Sequence, residues 1–215
     1  MAGENQLYIM LSRTDTGMGR LIRFFTRYDY NHVSLSLDPR LHSWVSFARY
    51  AVDVPLAGGF VREPAERFHL RGQAVPVRVF QVDLPGERYD KLPALFCLAG
   101  DRESGLIYNS LSALCSVFGG HWDIPGAYTC LDFACAVLDR RYSTIRALDR
   151  ALEPYLHFAG DLRDVAPDNG SREDPYFRPR GFSQGIRDTL GHFRRLLSRA
   201  VHPGAPDPLR EVLNA

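Results

Sequence analysis

The chain has 215 residues, 45% of them hydrophobic and 24% charged, enough to bury the core of one α/β or α+β domain and too apolar for a disordered chain. A formal net charge of +1 gives no reason to expect a nucleic acid partner. The four cysteines are irregularly spaced with no Cys-x-x-Cys, which fits no zinc framework, so neither metal nor cofactor is expected.

Gln6 to Ser12 is a short apolar strand, and Arg13 to Gly19 a polar turn. Arg20 to Tyr28 reads as a helix that sets Leu21, Ile22, Phe24 and Phe25 against Arg20, Arg23 and Arg27. From His32 to Leu37 the chain alternates: Val33, Leu35 and Leu37 share one face, His32, Ser34 and Ser36 the other. Asp38-Pro39-Arg40 signals a turn, and Ser43 to Ala51 a return strand. A hairpin closed there brings Ser46 close to the pairing register of His32; His42 reads as a loop residue. Pro55 to Phe60 reads as a loop leading into Val61-Arg62-Glu63. Val75 to Leu84 is a strand, and Tyr89 to Ser104 and Leu106 to Phe118 are apolar helices, the second interrupted early by Asn109. Gly119 to Gly126 is a flexible approach to the next helix, with His121 as a back-up base. Ser143 to Ala151 is another helix, and Glu153-Pro154 starts a segment with Tyr155, Leu156 and Phe158.

The segment Tyr128-Thr129-Cys130-Leu131-Asp132-Phe133 carries the strongest chemical signal. Thr129 is a good N-cap with Asp132 three residues later, a capping box with Asp in place of the commoner Glu. Cys130 is then the first helical residue, where unpaired backbone N–H groups and the macrodipole favour a thiolate. Phe133, Ala134, Val137 and Leu138 follow at helical spacing. Cys97 and Cys115 read as helix-core positions, and Cys135 lies beyond the first turn. A strand-borne imidazole, His32, is the base such a thiol needs, and that pair defines a candidate for amide or ester chemistry.

The order Asn31-His32-Val33-Ser34-Leu35-Ser36-Leu37-Asp38, then Tyr-Thr-Cys-x-x-Phe at 128–133, resembles the circularly permuted NlpC-type branch of the papain-like cysteine peptidases. That branch includes bacterial amidase-like proteins and relatives of lecithin retinol acyltransferase. The resemblance covers roughly residues 7 to 140. It implies an α+β fold, with an antiparallel sheet or small barrel packed against helices. It also implies a Cys130–His32 dyad with a third polar residue on the following strand. Ser46 is the candidate for that place, since no clear Glu, Asn or His stands there. Tyr128 is the candidate to hold substrate or line the oxyanion site.

These readings divide the chain into a thiol hydrolase domain at 1–165, a linker at 166–181, and a basic amphipathic helix with a loose tail at 182–215. Phe182 to Ala200 sets Ile186, Leu190, Phe193, Leu196 and Leu197 against Arg187, Arg194, Arg195 and Arg199. Such a helix either packs on the domain or meets an anionic membrane peripherally. Pro203, Pro206 and Pro208 make the remainder read as loose. Residues 1–6 carry no basic n-region, and no stretch approaches the roughly 18 apolar residues that span a membrane. A cytoplasmic protein with free thiols is expected, which counts against periplasmic cell-wall hydrolysis. The expected activity is cleavage of an amide bond in a small-molecule, peptide or lipid substrate through an acyl-enzyme. The alternatives are a lipid-directed acyltransferase or thioesterase, and a silent binding module of the same fold.

Overall fold

The computed structural model describes residues 5–68, 73–101, 104–116, 120–166, 173–202, 204 and 206–215. Outside it lie residues 1–4, 69–72, the middle of the expected linker at 167–172, the helical positions expected at 102–103 and 117–118, and residues 119, 203 and 205. The fold is α+β: a six-stranded antiparallel sheet with seven α-helices among the described residues. The sheet runs β4-β3-β2-β1-β5-β8, comprising β1 (Gln6–Ser12), β2 (His32–Ser36), β3 (Trp44–Ala51), β4 (Val54–Glu63), β5 (Pro76–Asp83) and β8 (Leu156–Asp161). It is open, with β4 and β8 at its edges. A second, two-stranded parallel pair joins β6 (Ile107–Tyr108) to β7 (Ala127–Tyr128).

The central strand shows why the sheet divides two cores. In β1 the run Leu7 to Leu11 is buried throughout, as a strand covered on both faces must be. Leu7, Ile9 and Leu11 pack with Val33, Leu35 and Phe47 in the larger core. Tyr8 and Met10 face the other way, onto Trp44, Phe68, Val77 and Leu162. The larger core takes Leu92 and Leu95 from α2 (Gly86–Gly100), Phe133, Ala134 and Val137 from α4 (Cys130–Leu138), and Leu148 from α5 (Ile145–Leu152). The remaining helices are α1 (Gly17–Thr26), α3 (Ser110–Cys115), α6 (Phe182–Ala200) and α7 (Pro208–Asn214).

Three segments differ from the sequence expectation. Pro55 to Phe60 is part of β4, not a loop. Its glycines permit the close strand approach that follows a register shift between Arg49 and Ala51. A Cβ on Gly58 would come within 2.2 Å of the Ala48 carbonyl oxygen. Leu106 to Phe118 begins as β6 and becomes helical only at Ser110, because the Asn109 side chain caps α3 by accepting from the Ser112 N–H. The tail expected to be loose forms α7, with Asp207 as N-cap and Pro208 in the first turn. Its Leu209 and Leu213 are buried in the larger core, against α2 and α4. The helix expected at 182–200 is α6, which packs His192 and Leu196 inward and lies on β4.

Candidate active site

Three element ends meet at one point. His32 is the first residue of β2, Glu63 the last of β4, and Cys130 the first of α4. The helix lies across β2 and β3, which carries its N-terminus to the His32 end of the sheet. The capping box is complete. The Thr129 hydroxyl oxygen accepts from the Asp132 N–H at 3.1 Å, and the Asp132 carboxylate accepts from the Thr129 N–H at 3.0 Å. Cys130 is therefore held at the start of the helix, where its own N–H has no intrahelical acceptor. Its thiol is half-buried beside the His32 ring, whose pKa it helps to raise.

His32 is fixed from its other side. Its Nε2 lies 3.0 Å from both Glu63 carboxylate oxygens, so that nitrogen is committed and Nδ1 is the one left for other chemistry. Ser34 donates to the same carboxylate at 2.7 Å, and Ser46 also bonds it. Burial opposes charge on His32, yet the Glu63 carboxylate and the Cys130 sulfur together raise its pKa to about 10. Burial likewise pushes the Glu63 carboxyl up, but His32 and the two serines hold it below the usual carboxylate range. The pair is an imidazolium–carboxylate ion pair, almost withdrawn from water.

Ser46 does reach His32, at 3.3 Å from Nε2, the nitrogen that the Glu63 carboxylate also holds. It stands diagonal to the histidine, because the register Leu35↔Val45 sets Ser46 opposite Ser34. Tyr128 is buried, and its hydroxyl donates to the Asp207 carboxylate oxygens at 2.7 and 2.8 Å. That hydroxyl ties the N-cap of α7 to β7 and is committed away from any oxyanion. The phenol nearer the site is Tyr108, its partner across the β6–β7 pair. Burial and the neighbouring Cys130 sulfur push the Tyr108 hydroxyl up from its ordinary pKa, so it keeps its proton. With no hydrogen-bond partner among the described residues, it is free to donate into the cleft.

The other candidates fall away from this centre. His121 is exposed, 3.8 Å from the Asp132 carboxylate. Cys97 is exposed, and burial pushes the Cys135 thiol up to about 11. Among the described residues no group of three His, Cys, Asp or Glu side chains could hold a metal ion. A cleft opens beside His32 and Glu63, lined also by Thr14, Ile22, Phe47, Arg49, Tyr108 and Tyr176. Family models, curated proteins and solved structures yield no match to the chain.

Proposed function

We propose that the chain is a thiol hydrolase that cleaves an amide bond through Cys130, in a permuted NlpC-type papain-like fold. The observation that carries the reading is the continuous line from the Cys130 thiol through the His32 ring to the Glu63 carboxylate. A buried carboxylate that holds an imidazolium against a helix-terminal sulfur has the parts and order of a nucleophile, a base and an orienting group. The sulfur attacks the carbonyl carbon and the oxygen takes up the charge. In this reading the Cys130 N–H and the Tyr108 hydroxyl donate to that oxygen. The C–N bond breaks as the imidazolium gives its proton to the leaving amine. Water then attacks the thioester, its proton returns to His32, and the acid leaves. The fold order supports the permuted assignment, since histidine and glutamate precede the cysteine helix. The third polar residue that the sequence leaves open is, in this reading, Glu63 at 3.0 Å from His32, which weighs against the silent-module alternative.

The test is alkylation. At pH 6 to 7 iodoacetamide labels Cys130 faster than Cys97, Cys115 or Cys135 in peptide mass spectra, and His32→Ala removes the excess. Equal labelling of all four thiols, indifferent to His32, would sink the assignment.

One observation favours a second reading, a lipid-directed enzyme at a membrane surface. Phe182, Ile186, Leu190, Leu197 and Val201 form an exposed stripe along and just beyond α6, with Phe182 87% exposed, and the exposed Arg187 and Arg194 flank it. On α1, which lines the cleft through Gly19 and Ile22, Phe24 is 76% exposed. No helix of the described residues is long and apolar enough to cross a membrane. Apolar stripes edged by arginine suit the surface of an anionic bilayer. The chain then floats with phosphatidylserine-containing vesicles at low salt, and Phe182→Asp with Leu190→Asp abolishes flotation. Wild-type protein that stays at the bottom of the gradient removes this reading.

A further inference from the structure

The catalytic reading leaves one cleft residue without a task. Arg49, on β3, lines the same cleft as His32, Glu63 and Tyr108. The other charges there are matched. Glu63 pairs with His32, and Arg67 is bidentate to Asp174 at 2.7 and 2.9 Å. Arg49 donates to the Val52 carbonyl at 3.2 Å and the Tyr176 hydroxyl at 2.8 Å, and has no carboxylate partner among the described residues. Its guanidinium lies over the Tyr176 ring at 5.8 Å from the centroid, with Arg67 at 5.0 Å from the same centroid. Tyr176 is buried, and its N–H donates to Asp174 at 2.7 Å. The arginine is thus positioned by a fixed aromatic ring, half-buried, lining the cleft and without a carboxylate in ion-pair contact among the described residues.

A half-buried cation without a counter-charge is costly, and a planar guanidinium matches a carboxylate or phosphate in bidentate geometry. Tyr108 lines the same cleft as Arg49, and its strand pairs with β7 at Tyr128, two residues before Cys130, which joins the arginine's cleft to the start of α4. We infer that Arg49 is an anion-binding subsite, so that the substrate carries a carboxylate or phosphate group that Arg49 holds while its scissile carbonyl meets Cys130. This rests on the reading of Cys130 as nucleophile.

A charged and a neutral alkylating agent separate the two ideas. Both form an S–C bond at Cys130 and expel iodide with its electron pair, but iodoacetate carries the anion and iodoacetamide does not. The rate ratio of iodoacetate to iodoacetamide at Cys130 exceeds that at the exposed Cys97 of the same protein. In Arg49→Gln the Cys130 ratio falls about tenfold, the scale of one unit charge acting across a partly solvated cleft. Arg49→Lys keeps most of it. In wild-type protein, millimolar inorganic phosphate or acetate slows iodoacetate labelling, and the stronger protectant names the phosphate or the carboxylate class. The protection and the wild-type ratio decide the matter should Arg49→Gln fail to fold. Fast iodoacetamide labelling of Cys130 with an iodoacetate ratio no higher than that of Cys97, and no protection by either anion, overturns the subsite alone. Slow iodoacetamide labelling of Cys130 overturns the nucleophile and the subsite with it.

Discussion

Cys130→Ala abolishes p-nitrophenol release from p-nitrophenyl acetate, with a loss on the order of 10³-fold or more. The size follows from the chemistry, since the sulfur alone forms a covalent bond to the acyl group. Neither Cys135 nor Cys97 is a ready replacement: Cys135 is pushed up to about 11 by burial, and Cys97 is exposed on α2. The fold does not depend on that sulfur. The capping box of Thr129 and Asp132 still starts α4, and Phe133, Ala134 and Val137 still anchor it. The variant therefore melts within a few degrees of the wild type, a cost of about 1 kcal/mol being ordinary for a half-buried truncation. His32→Ala costs nearly as much turnover, because members of one catalytic unit are not additive. A Cys130→Ala protein that retains its burst of product release would assign the chemistry elsewhere.

The parts of the site that could be read from the sequence are those whose signals are local. Cys130 is marked by a cap three residues long, and His32 by alternation along its own strand. Glu63 has no such mark. It is joined to the site through β4, whose Gly58 and Gly59 imitate a loop, and its register against Trp44 on β3 is set by tertiary pairing. Ser46 is the nearest polar residue that a hairpin offers, and it lies 3.3 Å from the His32 ring, on the same nitrogen as Glu63, the orienting group of the proposed mechanism. Tyr128 illustrates a different failure. Its closeness to Cys130 in sequence suggests a shared site, but β7 turns its ring onto Phe47 and its hydroxyl to Asp207. That acceptor lies in a tail that composition alone makes loose, so misreading α7 also misplaces Tyr128. Tyr108 was hidden inside a stretch of helical composition that Asn109 cuts short.

Glu63→Ala destabilises the protein by on the order of 3–5 kcal/mol near pH 6, the cost of leaving one partner of a buried ion pair alone. For a chain of this length that is a fall of about 10 °C in Tm. The loss has a pH signature that a packing defect lacks. His32 is raised from its ordinary 6.5 to about 10, so the native state holds its proton where the unfolded chain has lost it. That contribution is complete below about 6.5 and is lost as pH rises through about 10. Glu63 is lowered from its ordinary 4.5, so its contribution is present above that value and is lost as pH falls through the folded pKa. The pair contributes most between about 4.5 and 6.5, and the wild type weakens on either side. The stability gap between wild type and Glu63→Ala is therefore widest near pH 5 to 6 and narrows steadily toward pH 10. Glu63→Gln, which keeps the shape and the serine bonds but not the charge, follows the same course with a smaller gap. Urea unfolding in steps from pH 5 to 10 measures it. A gap that stays constant over that range, or widens with pH, would mean that Glu63 acts through packing and that the imidazolium it is held to sustain does not exist.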